Sequence, residues 1–291
     1  MKKLLKSLMP NFLKKALAEA LRPFGTPPLR MLNLLAFHGT FTLDVNGKPL
    51  RLTYTNKWIE NDLFWKGLIG YEKVSMEIWQ KAAKDAHTII DIGANTGFFS
   101  LIGKTVNPAA IIYGFEPLPK FRALFQANCD ANHYDIHVDK RAVSDFVGSS
   151  IFYVPEEFQG NEYSSSLSKE HYLKHQSTEP LQVSVEVTTF DDFMQEVNLG
   201  PIDLVKIDAE GHDFEVLAGM KETIRKYQPD FLVEIHSDEI GLNIMSLLPS
   251  SSYFYFNIDE EVGARRVPAL TKSDTFNFFI CKPETAAKLS L

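Results

Sequence analysis

The chain has 291 residues, of which 45% are hydrophobic and 23% charged, and its formal net charge at pH 7 is −7. This composition is typical of a folded globular protein with ample length for a large core and an appended segment. The net negative charge argues against nucleic acid as a main partner, because binding to phosphate backbones depends on clustered Lys and Arg. A small-molecule or glycan ligand fits better, and nothing in the composition predicts an oligomeric state.

The first 23 residues differ from the rest of the chain. Six basic residues and one acid give them a charge of +5, which leaves −12 for the remainder. Leucines recur among these charges, together with Phe12, so the segment is predicted to be a basic amphipathic helix that Pro10 interrupts. It either packs on the protein or makes peripheral contact with an anionic membrane surface. Pro10 and Asn11 break the only candidate signal peptide, and no stretch approaches the ~18 apolar residues of a membrane span.

Residues 41–55 alternate apolar and polar side chains around Asn46-Gly47, which is a strong signal for a β-hairpin. The aromatic residues that follow either pack against this hairpin or line an acceptor pocket; they are Trp58, Phe64, Trp65 and Tyr71. We therefore expect an N-terminal extension over residues 1–70, with a helix and a hairpin, and a main domain over residues 71–291.

From residue 88 onward, strand and helix patterns alternate, which predicts an α/β domain with a mostly parallel sheet. Seven strands are expected, the last two antiparallel, near residues 88–92, 111–115, 136–139, 202–207, 231–235, 253–258 and 276–281. Residues 155–180 lack apolar periodicity and are predicted to be a mobile or substrate-covering loop. Tyr163 and the serines at 164–166 are candidates for glycan contact, with a plain solvated loop as the default. The two cysteines have no metal-binding or disulfide spacing, which indicates core residues and a reducing cytoplasm.

The stretch TIIDIGANTGFFS at residues 88–100 is predicted to form a buried strand, a glycine turn and the start of a helix. Its spacing is D-x-G-x-N-x-G, so the G-x-G-x-x-G turn of dinucleotide-dependent oxidoreductases is absent. The carboxylate of Asp91 would repel a phosphate and suits a cationic ligand such as S-adenosylmethionine. The glycines at 93 and 97 are expected to let a ligand approach the backbone.

A second acid, Glu116, follows the strand predicted at 111–115, about two dozen residues after Asp91. An acid at this point of a nucleotide-binding α/β unit hydrogen-bonds the ribose hydroxyls. The pair of acids on neighbouring strands therefore predicts a nucleoside site.

These motifs resemble those of the FkbM family of S-adenosylmethionine-dependent methyltransferases. The matching pieces are YE at 71–72, DIGANTGFFS at 91–100, FEP at 115–117, Asn128 and Asn132, AVSD at 142–145, VTTFDDF at 187–193, VKIDAEGHDFEVLAG at 205–219 and PDFLVEIH at 229–236. The resemblance implies a class I, Rossmann-like methyltransferase fold. It also implies O-methylation of a hydroxyl group on a sugar, glycan or other hydroxylated metabolite.

Together with the rule that ligands bind at the carboxyl ends of parallel strands, the resemblance places the cofactor. Its methionine end is expected at Asp91, Gly93, Ala94, Asn95, Gly97 and Phe98, its ribose at Glu116 and Pro117, and its adenine at Arg141 and Ala142.

The acceptor half is expected at VKIDAEGHD, residues 205–213, and at the strand end near 234–236. The candidate catalytic residues are Lys206, Asp208, His212 and His236, of which a histidine would act as the base. Alternatively, Asp208, Glu234 and His236 would hold Mg²⁺ or Mn²⁺, which prefer oxygen-rich sites. A non-catalytic cofactor- or glycan-binding module on the same fold is the other function that these motifs allow.

Overall fold

The computed structural model describes residues 9–55, 57–155, 166–175, 179–248 and 252–291. The chain divides into two compact units, residues 1–73 and residues 74–291. The domain boundary expected after residue 70 stays a prediction. Among the described residues, no helix combines the length and the apolar character that crossing a bilayer requires.

Within its described residues, the first unit has three helices and a hairpin. They are α1 (Asn11–Leu21), α2 (Leu29–Leu35), β1 (Gly39–Val45), β2 (Lys48–Tyr54) and α3 (Trp58–Lys66), with 3-10 turns at Arg22–Phe24 and Gly67–Gly70. The predicted hairpin is confirmed, because β1 and β2 pair in antiparallel register around Asn46 and Gly47, whose φ angles of 54° and 80° suit a tight turn. Phe64 is fully buried against Phe37 and Tyr54, so it packs the hairpin core.

The second unit is built on an eight-stranded sheet. Its strands are β3 (Thr88–Ile92), β4 (Ile111–Phe115), β5 (His137–Asp139), β9 (Leu204–Ile207), β10 (Asp230–Glu234), β11 (Phe254–Asp259), β12 (Gly263–Val267) and β13 (Asn277–Cys281). The order is β12-β11-β13-β10-β9-β3-β4-β5. The five strands from β10 to β5 are parallel, and β13, β11 and β12 are antiparallel to their neighbours. The predicted α/β fold class is therefore confirmed.

The helices of this unit connect the strands. They are α4 (Lys73–Ala83), which spans the division between the units, α5 (Phe98–Val106), α6 (Pro119–Asn132), α7 (Lys169–His175), α8 (Phe190–Glu196), α9 (Asp213–Ala218), α10 (Lys221–Tyr227), α11 (Asp238–Leu247) and α12 (Pro283–Leu289). Strands β3 and β9 are buried along their whole length, which leaves Asp91 and Lys206 as charges inside the core.

The prediction of seven strands is wrong by one, because β12 forms the sheet edge. Its side chains are half-buried or exposed and include Arg265 and Arg266, so the strand lacks the apolar run of an interior strand. Charged side chains are common on edge strands, where they prevent further strand pairing.

A second sheet of three strands was also not predicted. It consists of β6 (Ala142–Val143), β7 (Gly148–Val154) and β8 (Leu181–Thr188) in the order β6-β8-β7. The predicted loop at 155–180 is wrong where the structure describes it, since Ser166 is buried and pairs with Tyr153 and α7 follows. Tyr163 and the serines at 164 and 165 lie outside the described residues.

Both cysteines are buried and unpaired, as the sequence indicated. Burial raises the pKa of each thiol to about 12. Cys129 and Cys281 are therefore protonated core residues and poor nucleophiles.

Candidate active site

Four neighbouring strands bring the predicted acids to one edge of the sheet. Strands β10, β9, β3 and β4 are adjacent and parallel, so their carboxyl ends lie side by side. Asp91 is the fourth residue of β3, Glu116 follows β4, Asp208 follows β9 and Glu234 ends β10. This rim is where ligands bind in open α/β sheets.

The backbone amides of the glycine turn point into the protein. Those of Gly93 and Ala94 donate to the Phe115 carbonyl at 3.1 and 3.0 Å, and that of Gly97 donates to the Ala94 carbonyl at 2.7 Å. The Asn95 amide donates to Glu116 Oε2 at 2.9 Å. These four amides are therefore already engaged, unlike the free amides of a phosphate-binding turn.

The two glycines of the turn make room for protein atoms, which differs from our expectation that a ligand would use this space. A Cβ on Gly93 would lie 1.9 Å from the Asp208 carbonyl oxygen, and one on Gly97 would lie 2.0 Å from the Phe125 ring. Both glycines have positive φ angles of 76° and 82°. Glycine is thus required here by backbone conformation and by close packing.

Asp91 connects the sheet to the start of α5. Its Oδ2 accepts hydrogen bonds from the Ser100 amide at 3.0 Å and the Ser100 hydroxyl at 2.6 Å. Gly97, the N-cap of α5, has no side chain to cap that helix, so Asp91 satisfies one of its free amides. Ser100 was missed from the sequence, although its place in the third helical position was the available signal.

Two buried acceptor atoms of this region have no hydrogen-bond donor among the described residues. They are Oδ1 of Asp91 and Oδ1 of Asn95. Burial raises the pKa of Asp91, and the nearby Lys206 ammonium opposes that rise. Unpaired buried acceptors are costly and rare in folded proteins. Their chemistry suits a ligand that carries an ammonium or sulfonium cation.

Glu116 links the turn to the end of β4. Its Oε1 accepts from the Leu118 amide at 2.8 Å, while Oε2 accepts from Asn95. Glu116 is 5% exposed, and burial raises the pKa of its carboxyl group to about 7. Each oxygen keeps a second lone pair that a ligand hydroxyl can use.

Lys206 lies between the two halves of the rim. It is the cross-strand neighbour of Asp91, and its Nζ donates to Asp208 Oδ2 at 2.9 Å. The ammonium also lies 4.6 Å from the centre of the Phe99 ring. The buried ammonium of Lys206 therefore offsets the negative charge of Asp91, in the predicted cofactor half, and of Asp208, in the predicted acceptor half.

The acceptor half is rich in carboxylates. Glu234 Oε2 lies 2.9 Å from His236 Nε2, so these two side chains form a hydrogen-bonded pair. Burial alone would lower the pKa of His236, but the hydrogen bond and charge of Glu234 outweigh it, and the pKa is raised. Burial, with the charges of Asp208 and Glu234, raises the pKa of Glu210 well above its usual value.

The predicted metal ligands do not form a metal site. Among the described residues, no group of three or more His, Cys, Asp or Glu side chains is arranged to hold a metal ion. Asp208 is paired with Lys206 and Glu234 with His236, so the carboxylates are oriented toward cations of the protein. The assignment of Asp208, Glu234 and His236 to Mg²⁺ or Mn²⁺ is thus without support.

His212 has partners other than those expected of a base. Its Nε2 lies 2.9 Å from the hydroxyl of Ser144, which is fully buried, and its Nδ1 lies 3.5 Å from Glu215 Oε2. Burial lowers the pKa of His212. These contacts attach α9 to the end of β6, which favours a structural role over a catalytic one.

The predicted adenine-side residues are also engaged. The Arg141 guanidinium binds Asp139 at 2.8 Å and Glu196 at 2.6 Å, and the hydrogen bonds to Asp139 raise its pKa. Ala142 is buried and pairs with Val187 in the three-stranded sheet. Of the other predicted cofactor residues, Ala94 and Phe98 are buried and Pro117 is partly exposed.

The parallel sheet and the acids at its carboxyl edge define a class I methyltransferase fold. Residues 91–266 match the family described as the methyltransferase FkbM domain, and the chain belongs to that family.

Individual relatives are more distant. The 2-O-methyltransferase NoeI of Sinorhizobium fredii is 30% identical over 190 residues, which cover 61% of this chain and 77% of NoeI. Methyltransferase 1 of Beauveria bassiana is 28% identical over 152 residues, or 47% of this chain, and only 60% of the fungal protein is covered. A solved FkbM methyltransferase from Methylobacillus flagellatus has a TM-score of 0.44 and 14% identity, covering 92% of this chain and 59% of its own.

Proposed function

We propose that this methyltransferase uses S-adenosylmethionine to methylate a hydroxyl group on a sugar, a glycan or another hydroxylated metabolite. The observation that carries the cofactor assignment is the pair of unpaired buried acceptors, Asp91 Oδ1 and Asn95 Oδ1, beside a turn whose amides are engaged. The preference for oxygen rests on family membership and on the name of the relative NoeI, a 2-O-methyltransferase.

The residues present fit the cofactor. Asp91 and Asn95 would hold the cationic methionine end, with Gly93, Ala94, Gly97 and Phe98 shaping that part of the site. Glu116 would accept from the ribose hydroxyls, next to Pro117. The Arg141 side chain is already paired, so Arg141 and Ala142 would contribute backbone to the adenine side. When bound, S-adenosylmethionine supplies an electrophilic methyl group on a positively charged sulfur.

His236 is our candidate for the general base. A base must take the proton of the acceptor hydroxyl as the oxygen attacks, and the charge of Glu234 stabilises the histidine that has gained this proton. Lys206 and Asp208 would hold the acceptor half in place beside the cofactor half. Alignment of the acceptor oxygen with the methyl group accounts for much of the rate of such a displacement.

Isothermal calorimetry with S-adenosylmethionine tests the cofactor assignment. We expect binding by the native protein and at least about tenfold weaker binding by Asp91→Asn, because hydrogen bonds to charged groups contribute about 1.5–3 kcal/mol. Asp203→Asn is the matched control: Asp203 accepts from the amides of His87 and Thr88 at the opposite end of β3, at 2.8 and 2.9 Å. That variant should lose stability but keep its affinity for the cofactor.

A screen of nucleotide sugars, lipid-linked glycans and small hydroxylated metabolites with methyl-labelled cofactor then tests the reaction. Transfer to a hydroxyl oxygen is expected. No binding of S-adenosylmethionine would refute the proposal, and binding without transfer to any acceptor would favour a non-catalytic binding module.

A further inference from the structure

Helix α1 presents an apolar face to solvent. At about 100° per residue, five apolar side chains fall within an arc of about 140°. Phe12 is 74% exposed, Leu13 40% and Leu17 38%, and the two smaller members of this outer face, Ala16 and Ala20, are exposed as well. An amphipathic helix normally turns such a face toward the protein core. The outer face of α1 therefore calls for a partner.

The opposite side of α1 attaches the helix to the first unit. Ala18 is buried on that side. Asn11 exchanges two hydrogen bonds with the backbone of His38, at 2.8 and 2.7 Å. At the end of the helix, Arg22 Nη1 donates to the Thr42 carbonyl at 2.9 Å. Asn11 and Ala18 therefore lie on the side of α1 that contacts the first unit, opposite its apolar face.

Large apolar side chains are also exposed in the two elements after α1. Phe24, in the 3-10 turn, is 86% exposed, and Leu29 and Met31, in α2, are 73% and 41% exposed. Monomeric soluble proteins rarely expose many large apolar side chains near one another. Where they do, the exposed apolar surface marks an interaction site. Exposed large apolar side chains therefore continue along the chain from α1 through α2.

The charges beside this face indicate what covers it. On the same helical projection, Lys14 and Lys15 lie about 60° beyond its two edges, and the acid Glu19, 3.7 Å from the Lys15 ammonium, lies about 20° beyond one edge. The sequence before the helix adds Lys2, Lys3 and Lys6. Flanking cations on an apolar face that carries phenylalanine are the arrangement of helices that lie in the headgroup region of anionic bilayers. A symmetric contact with a second copy would instead bring two lysine-rich segments together.

We propose that the outer face of α1, together with Phe24 and Leu29, docks on the surface of an anionic lipid bilayer. The apolar side chains enter the interface, while Lys14 and Lys15 contact the lipid phosphates. The attachment is peripheral and reversible, since one short helix buries little apolar area.

Co-sedimentation of the full chain with vesicles tests this proposal. Binding is expected to vesicles that contain phosphatidylglycerol, weaker at high salt, and not to vesicles of phosphatidylcholine alone. The double variant Phe12→Ser, Leu17→Ser should partition about tenfold less, because two interfacial apolar side chains are lost. Val262→Ser with Leu242→Ser is the matched control, since these residues of the second unit are 87% and 60% exposed. The control should bind like the native protein.

Phe12→Trp keeps a large apolar side chain at position 12 and should retain binding. The emission of the introduced tryptophan should shift to shorter wavelength when anionic vesicles are added. Equal binding to both lipid compositions, or native binding by the double serine variant, would overturn the proposal. So would a dimer in sedimentation equilibrium that the double serine variant dissociates. No step measures methyl transfer, so failure here leaves the proposed function intact.

Discussion

At the scale of single residues, the rim of the sheet places each acid beside a different partner. Asp91 is held by Ser100, Asp208 by Lys206 and Glu234 by His236. These carboxylates therefore differ in their surroundings, because Asp91 accepts from a serine whereas Asp208 and Glu234 each lie beside a basic side chain. The pair Glu234 and His236 is the one that we propose takes the proton of the acceptor hydroxyl.

The proposed base predicts a pH dependence of methyl transfer. Since His236 must be neutral to accept a proton, the rate should rise with pH through its raised pKa. Glu234→Gln removes the charge that raises this pKa, so the midpoint of the rate profile should move to lower pH. His236→Ala should reduce kcat by about a hundredfold or more while cofactor affinity is retained.

Glu215→Gln is the matched control for this profile, because Glu215 lies beside His212. If His236 is the base, the control leaves the midpoint unchanged. A shift in Glu215→Gln and none in Glu234→Gln would assign the base to His212 instead.

At the scale of elements, close packing between β4, α6 and the glycine turn fixes the cofactor half. Phe125, in α6, is fully buried and fills the space over both Gly97 and Gly114. A side chain on either glycine would compete with this ring. The two glycines therefore serve helix-to-sheet packing, which brings the turn and Glu116 together.

Gly114→Ala tests this packing without backbone strain. Its Cβ would lie 2.4 Å from the Phe125 ring, so we expect a loss of about 1–3 kcal/mol in the free energy of unfolding. Adding Phe125→Leu should restore part of that loss in a double-mutant cycle measured by urea denaturation. Gly200→Ala, which would meet no atom within 4 Å, should change stability little. Strictly additive effects of the two substitutions would argue against the contact.

At the scale of the whole molecule, charge is distributed unevenly. Residues 1–23 carry +5 and the remainder −12, and several acids of the second unit are buried at one edge of its sheet. Burial raises the pKa of Glu116 to about 7 and, with the charge of Glu234, that of Asp213 to about 7. One oxygen of Asp213, Oδ2, is buried without a partner among the described residues. Keeping these acids ionised therefore costs folding free energy.

The stability of the cofactor-free protein should depend on pH accordingly. Glu116 and Asp213 both bind protons more tightly in the folded state than in the unfolded state. Their stabilising contribution to the free energy of unfolding is therefore complete below about pH 4 and is lost as pH rises through about 7. Asp213→Asn mimics the protonated acid. Relative to the native protein it should gain stability between pH 5.5 and pH 8, on the order of 1 kcal/mol per pKa unit. Urea unfolding at both pH values measures this.

The exposed Glu239→Gln is the control, and its effect should be the same at both pH values. An equal difference between Asp213→Asn and the native protein at pH 5.5 and pH 8 would show that the protonation of Asp213 does not change between these pH values, contrary to the prediction.

Local patterns in the sequence determined the hairpin, the interior strands and the positions of Asp91 and Glu116 at neighbouring strand ends, because side-chain periodicity and turn residues act over a few positions. The edge strand β12 was not predicted because its side chains are half-buried or exposed and lack an apolar pattern. The three-stranded sheet was missed although β8 alternates apolar and polar residues from Leu181 to Thr188, which is the available strand signal. Only the tertiary structure decided which partner each charge has: Lys206 beside Asp91 and Asp208, His236 beside Glu234 and His212 beside Ser144. It also decided that the apolar face of α1 points outward. Such pairings depend on strand register and packing between residues far apart in the chain, which no local pattern encodes.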